Sequence, residues 1–139
     1  MLFRSHPIFV HFPVACWSLG SLADIAGLYI GNDADELAAL LIMAGLILAA
    51  PAMLTGLLEL GKIKENSAAQ DTVMSHLTYV MVTWALYAGS LYMRTHPINE
   101  SFPVGLILSI SGVICLGIAG WYGGKLVYMH GIGVKKNIH

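Results

Sequence analysis

Long apolar stretches and short polar segments alternate four times along the chain. The apolar stretches cover about residues 8–31, 36–60, 72–94 and 103–129. A helix needs about 20 mainly apolar residues to cross the hydrocarbon core of a bilayer, and each stretch reaches that length. The pattern therefore predicts four membrane-spanning helices with short connectors, of which the polar run 62–71 is the longest internal one.

The composition supports a bilayer as the solvent of this chain. Of its 139 residues, 57% are hydrophobic and 11% are charged, and the mean hydropathy is +0.72. Soluble domains carry about 25% charged residues, so this chain lies well outside their usual balance. Four spans use most of the sequence and leave no room for a separate soluble domain. We expect one all-α domain, an integral membrane four-helix bundle with antiparallel up-down connectivity.

The basic residues are concentrated on one side of the predicted bundle. An even number of spans puts both termini on the same face, and Arg94 is the one basic residue predicted at the opposite face. The other basic residues fall on the face of the termini: Arg4, Lys62, Lys64, Lys125, Lys135 and Lys136. The positive-inside rule therefore predicts that both termini are cytoplasmic, and we expect the first span to be retained rather than cleaved.

Several histidines are predicted to meet at the cytoplasmic end of the bundle. Because consecutive helices alternate in direction, the starts of the first and third helices lie beside the ends of the second and fourth. Five side chains that bind metals or protons fall at those positions: His6, His11, Glu59, His76 and His130. Such residues are costly near hydrocarbon, so their convergence indicates a functional site. Interfacial or hydrogen-bonded histidines without a cofactor are the alternative explanation.

A b-type haem is the cofactor that fits this cluster best. Neutral imidazole binds haem iron, zinc and copper, and a six-coordinate haem takes two histidines from facing helices. We favour His11 and His76 as the axial ligands, because both are expected about one turn inside inward-facing helix surfaces. His6 and His130 are alternates for either position. Iron, copper or zinc bound directly by the same histidines is the competing assignment.

Other residues are predicted to support the haem. Glu59 is a candidate to fix an imidazole tautomer, and Lys125 is a candidate to pair with a propionate. The ring would lie among Trp17, Tyr79 and Trp84 and against the glycine-rich face of the fourth helix, which carries Gly112, Ala119 and Gly123 beside a second pair, Gly120 and Gly124. On the first helix the inward face is expected to carry His11, Ala15 and Ser18.

Two charges lie toward the outer end of the predicted bundle. Asp24 interrupts the first apolar stretch, and Arg94 ends the third. Charges in a membrane helix are tolerated when they pair, so we predict a buried ion pair that holds helix one against helix three. The two cysteines, Cys16 and Cys115, are predicted at different depths and therefore free.

Three segments carry a resemblance to a known family. The opening His6-Pro7-Ile8-Phe9-Val10-His11-Phe12-Pro13, written HPxxVHFP, resembles the start of a domain-of-unknown-function family of small four-helix bacterial membrane proteins. Thr55-Gly56 with Glu59 resembles that family's TGxxD-like segment, with Glu in place of Asp, and His76 resembles its histidine at the start of helix three. The closing 123–128 and 131–134 resemble its GG-x-LVY…GxGV signature.

The resemblance implies a four-helix membrane fold along most of the chain and favours electron transfer, since relatives look similar to small membrane cytochromes and can be joined to redox modules. Our first hypothesis is a redox protein of the bacterial inner membrane that passes electrons between a haem and a quinone or partner protein. A metal-binding or metal-transport protein and a structural subunit without cofactor are the alternatives. No catalytic triad, phosphate-binding loop or nucleic-acid surface is present in the sequence, so hydrolase, nucleotide and nucleic-acid functions are disfavoured. Enzymatic activity and homo-oligomer formation are left open.

Overall fold

The protein is a four-helix up-down bundle. The structure, a computed structural model, describes residues 5–60, 67–96 and 103–132, and the side chains of all of these except 5–8, 59 and 60. The helices are α1 Ser5–Ile30, α2 Asn32–Leu60, α3 Ala68–Thr95 and α4 Val104–Tyr128. The prediction of an all-α bundle of four long helices is confirmed.

The first connector is shorter than the sequence pattern indicates. Gly31 alone separates α1 from α2, and its φ of +89° is a left-handed conformation that suits glycine. Its N–H donates to the Gly27 carbonyl at 2.9 Å. The acidic segment 32–35, expected to lie between the helices, forms the first turn of α2, because carboxylates such as Asp33 and Asp35 stabilise a helix N-terminus.

Helix α3 also begins earlier than predicted. The N-cap is Ser67, whose hydroxyl accepts the Gln70 N–H at 3.3 Å, whereas the third apolar stretch was predicted to start at about residue 72. Asp71 instead lies in the first turn, where its charge favours the helix N-terminus. At the other end, the His96 N–H donates to the Tyr92 carbonyl at 3.0 Å and closes the last turn.

The bundle consists of two closely packed hairpins, α1–α2 and α3–α4, that meet around one aromatic pair. Trp17 of α1 stacks on Tyr87 of α3 with ring centroids 5.0 Å apart and an angle of 7° between the planes. Small residues let the helices of each hairpin approach: Gly45 of α2 faces Trp17, and Gly112 of α4 faces Tyr87. Trp17, Tyr87, Ile42 and Ala49 form the buried core.

The outer surface of the bundle is strongly apolar. Large side chains are exposed around it, including Leu19, Leu22, Leu40, Ile47, Leu54 and Ile114. Within the described residues, three helical segments are long and apolar enough to cross a membrane: Phe9–Ile30, Asn32–Leu58 and Val104–Tyr128. A surface of this kind suits lipid rather than water.

Helix α3 differs from the other three in polarity. Its 28 residues extend about 42 Å, which exceeds the hydrocarbon thickness of about 30 Å. It is more polar than α1, α2 and α4, and part of that polarity is turned inward, because Thr83 and Ser90 are buried against the other helices. The fourth span predicted from the sequence therefore stays a prediction.

Candidate functional site

His76 lies on the seam between α3 and α4. Its Nδ1 is 2.8 Å from the Ala119 carbonyl oxygen of α4. A carbonyl accepts only, so Nδ1 carries the proton and donates, and in the neutral ring the lone pair is on Nε2. Gly123 lies against the same ring, where an added Cβ would be 3.4 Å from Cε1. The close approach of α4 therefore fixes both the orientation and the tautomer of His76.

His130 lies at the same end of the same seam. Its Nε2 is 3.1 Å from the Thr72 hydroxyl of α3, one helical turn before His76. Thr72 Oγ1 is also 3.1 Å from the Ala68 carbonyl of its own helix, so this hydroxyl contacts both that carbonyl and the His130 ring. The left-handed Gly131, with φ of +64°, follows His130 in the turn after the end of α4. The structure thus brings His76 and His130 to neighbouring turns of one seam.

Lys125 lies at this end of the bundle among aromatic rings. Its Nζ is 5.9 Å from the centroid of Trp121 and 5.6 Å from that of Tyr122. Tyr122 in turn stacks on Tyr79 of α3, with centroids 5.7 Å apart. A half-buried ammonium near a helix C-terminus is stabilised by the helix dipole and by the ring faces. Lys125 therefore supplies positive charge at the same end of the bundle as the histidine seam, the part of the α3–α4 contact that carries His76 and His130.

The inward face predicted for the first helix is wrong. His11 and Ala15 are exposed, and Ser18 is half-buried. The buried face of α1 instead carries Trp17, Ser21 and Asp24, along with Pro13 and Gly20. The largest side chain decides the rotation, since Trp17 is buried only where it can stack on Tyr87 opposite Gly45.

The expected pairing of His11 with His76 stays a prediction. His11 belongs to the α1–α2 hairpin, whereas His76 and His130 both lie on the α3–α4 seam. His6 and Glu59 lie in α1 and α2, but their side chains are outside the described residues. Among the side chains that are described, no three from His, Cys, Asp and Glu lie together as a metal site would require.

The aromatic and small residues expected around a haem are divided between two places. Trp17 lies in the core against Tyr87, and Trp84 is 37% exposed, so Tyr79 alone of the three lies beside the histidine seam. On α4, Gly112 and Ala119 are buried, as predicted for the inward face. At Gly120 and Gly124 the described part of the chain leaves open space where a Cβ would be added.

The predicted ion pair is confirmed at the opposite end of the bundle. Arg94 Nη2 donates to Asp24 Oδ1 at 2.5 Å, and the Asp24 side chain is 2% exposed. Arg94 also reaches the Ser90 hydroxyl at 3.4 Å, and Ser90 donates to the Gly105 carbonyl at 2.7 Å. Helix one is thereby tied to helix three, and helix three to helix four. Both cysteines are free, as predicted.

A buried hydroxyl cluster is the feature that the sequence interpretation missed. Ser21 of α1 lies 2.8 Å from the Tyr87 hydroxyl and 2.9 Å from the Ser109 hydroxyl of α4. Tyr87 lies on the buried face of α3, and the step of three from Ser21 to Asp24 is a signal that could have placed Ser21 on the buried face of α1. Ser109 lies one turn before Gly112 on the inward face of α4.

Comparison with known proteins identifies a family for the whole chain. A family model described as "Predicted membrane protein (DUF2231)" matches residues 4–136. No curated protein and no solved structure matches this chain. The match covers both the HPxxVHFP opening and the glycine-rich end, and it agrees with the lipid-compatible surface of the bundle. The chain therefore belongs to the DUF2231 family of predicted membrane proteins.

Proposed function

We propose that this protein is a membrane redox protein that holds a b-type haem at the end of the bundle marked by His76 and His130. His76 would ligate the haem iron, and the second ligand would come from His11, the residue favoured from the sequence, or from His6 or His130. When bound, the haem would supply one-electron exchange with a quinone or a partner protein. The protein lies in the bacterial inner membrane with both termini in the cytoplasm, which places this end of the bundle near the cytoplasmic face.

The hydrogen bond from His76 Nδ1 to the Ala119 carbonyl carries the proposal. Histidines that bind metals usually donate their second ring N–H to a carbonyl or carboxylate, because that bond orients the ring and raises the basicity of the ligating nitrogen. The bond leaves Nε2 as the lone-pair nitrogen, which is the form that haem iron binds. A ring held only by solvent would have no such fixed tautomer.

The surroundings of His76 are consistent with a haem. Two protein ligands complete a six-coordinate haem, whereas zinc takes at least three, so haem binding does not require a cluster of three ligands. Lys125 provides positive charge for an anionic propionate, and the Tyr79–Tyr122 stack provides an apolar wall. The bound haem supplies one-electron transfer, and the protein residues hold it and set its access to partners.

Optical spectra of the purified protein test the proposal. In detergent, the wild-type protein should show a Soret band and sharp α and β bands after reduction with dithionite, and His76→Ala should lose them. His96→Ala is the matched control, because His96 is an exposed histidine at the opposite end of α3, stacked on Tyr92. Protein from haem-replete cells without these bands, or His76→Ala with unchanged bands, would contradict the proposal.

The same samples identify the second ligand and separate the alternatives. Substitution of His11, His6 and His130 one at a time should leave two of the three spectra intact and change the third. Stoichiometric iron, copper or zinc without porphyrin would favour the metal-binding alternative. Protein with neither haem nor metal would favour a structural subunit.

A further inference from the structure

The two hairpins of the bundle repeat one packing pattern. Trp17 of α1 packs against Gly45 of α2, and in the same way Tyr87 of α3 packs against Gly112 of α4. Tyr87 follows Trp17 by 70 residues in the sequence. Gly112 follows Gly45 by 67 residues. Because the two aromatic rings also stack on each other, the hairpins are related by an approximate twofold axis that passes between the rings.

Burial and charge pairing follow the same repeat along α1 and α3. With a shift of 70 residues, buried positions of α1 coincide with buried positions of α3: Pro13 with Thr83, Trp17 with Tyr87, and Gly20 with Ser90. The ion pair obeys the same shift, since Asp24 corresponds to Arg94. Two pairs of equivalent residues, one stacked and one charged, therefore meet on the twofold axis.

The groove that holds His76 recurs on the other hairpin. On α4 this groove consists of the Ala119 carbonyl, which accepts the Nδ1 proton at 2.8 Å, and of Gly123, which leaves room for the ring. The residues of α2 that correspond to these two are Ala52 and Gly56, which are the same residue types. Both alanines are buried, and both glycines are half-buried. Helix α2 therefore carries a second groove of the same composition.

The Ala52 carbonyl can accept an imidazole N–H. A carbonyl oxygen has two lone pairs, of which one accepts the N–H of its own helix. The Thr55 hydroxyl is 2.9 Å from the Ala52 carbonyl and 3.0 Å from the Pro51 carbonyl, and it has one proton to donate. When Thr55 donates to Pro51, the second lone pair of Ala52 is available to a donor from α1.

The residue of α1 that corresponds to His76 is also a histidine, His6. Residues 6–10 read HPIFV and residues 76–80 read HLTYV, so the segments share the histidine, an aromatic fourth residue and a valine. Each histidine precedes the stacked aromatic residue of its own helix by 11 residues, which is about three helical turns. Positions 6 and 76 therefore lie on the helix faces that meet at the axis.

His11 does not have such a position. It corresponds to Met81 of α3, and both residues are exposed on the outer surface of the bundle. An axial ligand has to reach a haem among the helices, so the repeat favours position 6 over position 11.

We propose that the α1–α2 hairpin holds His6 as the α3–α4 hairpin holds His76, with the Nδ1 proton of His6 donated to the Ala52 carbonyl beside Gly56. The two rings then present their Nε2 lone pairs to each other across the twofold axis. Given the proposed function, on which this step rests, His6 is the second axial ligand of the haem. Each hairpin supplies one ligand, so bound haem links the hairpins at the end of the bundle opposite to the ion pair.

The ring tautomers of the haem-free protein test the second groove. Protein with isotope-labelled histidine is purified in detergent, and two-bond proton–nitrogen correlations are recorded at alkaline pH, where the rings are neutral. His6→Gln and His76→Gln assign the two signals. Both rings should carry the proton on Nδ1, whereas an imidazole in water carries it mainly on Nε2. Gly56→Val should return the His6 ring toward the tautomer found in water. Gly120→Val is the matched control, because it adds the same side chain where the described residues leave open space.

The spectra of the haem-loaded protein test the ligand. His6→Ala should convert the low-spin, six-coordinate spectrum of the wild type to a high-spin one, because one axial ligand is lost. His11→Ala is the matched control and should keep the wild-type spectrum, since His11 is exposed.

The outcomes separate the role of His6 from haem binding itself. A His6 ring with the tautomer found in water, or a low-spin spectrum that persists in His6→Ala, overturns the role of His6 and leaves haem binding intact. Both rings protonated on Nδ1 in a protein that binds no haem would support the paired grooves and contradict the proposed function. If His6→Ala does not fold, as judged by its elution from a sizing column, Gly56→Val decides by the same spectra.

Discussion

Two glycines make room for the aromatic pair at the centre of the bundle. A Cβ at Gly45 would lie 2.5 Å from Cδ1 and Nε1 of Trp17, and a Cβ at Gly112 would lie 2.9 Å from Cε2 of Tyr87. Contacts this short force the helices apart, because neither ring can move without leaving its stack. The lack of a side chain at Gly45 and at Gly112 therefore determines how closely the two helices of each hairpin pack.

Gly45→Ala should destabilise the protein by about 1–3 kcal/mol, the usual cost of overpacking a filled core. Gly117→Ala is the control, because no atom of the described residues lies within 4 Å of its added Cβ and alanine is the better helix former. Thermal unfolding in detergent, followed by tryptophan fluorescence, should show a lower midpoint for Gly45→Ala alone. Equal midpoints for the two variants would show that Trp17 does not pack on α2 as described.

Removal of one partner of the ion pair should cost more than removal of both. Asp24→Leu leaves the Arg94 guanidinium in the bundle without its carboxylate, at a cost of about 3 kcal/mol. The double variant Asp24→Leu/Arg94→Leu removes both charges and should recover most of that loss. Detergent unfolding of the wild type, both single variants and the double variant gives the coupling energy. If the losses of unfolding free energy in the two single variants add up to the loss in the double variant, the two charges do not interact.

At the level of the helices, local sequence signals predicted the position of each helix better than they predicted which of its faces is buried. The apolar stretches identify all four helices, since a bilayer-length run has few other interpretations. Helices α2 and α3 begin earlier than predicted. Acidic residues that were assigned to a loop form the first turn of α2, and Ser67, which was also assigned to a loop, caps α3. The rotation of α1 depends on Trp17 meeting Gly45 and Tyr87, which are distant in sequence, so its periodicity alone gave the wrong face.

Helix α3 should cross the membrane even though it is the least apolar of the four. Its buried Thr83 and Ser90 do not contact lipid, so they do not oppose insertion of the assembled bundle. A C-terminal green fluorescent protein should then be fluorescent, and alkaline phosphatase at the same position should be inactive, as at the N-terminus. If α3 stays outside the membrane, α4 ends on the opposite side and the C-terminal phosphatase fusion becomes active.

For the molecule as a whole, the sequence predicted those parts of the site that consist of charged or histidine side chains, because such side chains are rare in membrane helices. Asp24 and Arg94 could be paired because charges are few and each must be neutralised. The alternation of helix direction predicted that His76 and His130 share one end. The partner of His76 could not be predicted, because it is the backbone carbonyl of Ala119, which every residue possesses. The buried hydroxyl cluster could not be predicted either, because serine is common in helices and only the packing of three helices brings Ser21, Tyr87 and Ser109 together.

His76, held by the Ala119 carbonyl, is proposed to ligate a haem. Titration of haem into purified haem-free protein tests it most directly, with absorbance followed to saturation for wild type, His76→Ala and His96→Ala. We predict that wild type and His96→Ala saturate at about one haem per chain with a low-spin, six-coordinate spectrum, as two axial histidines give. His76→Ala should bind weakly or give a high-spin spectrum. Saturation of His76→Ala with the wild-type spectrum and affinity would show that His76 is not a haem ligand.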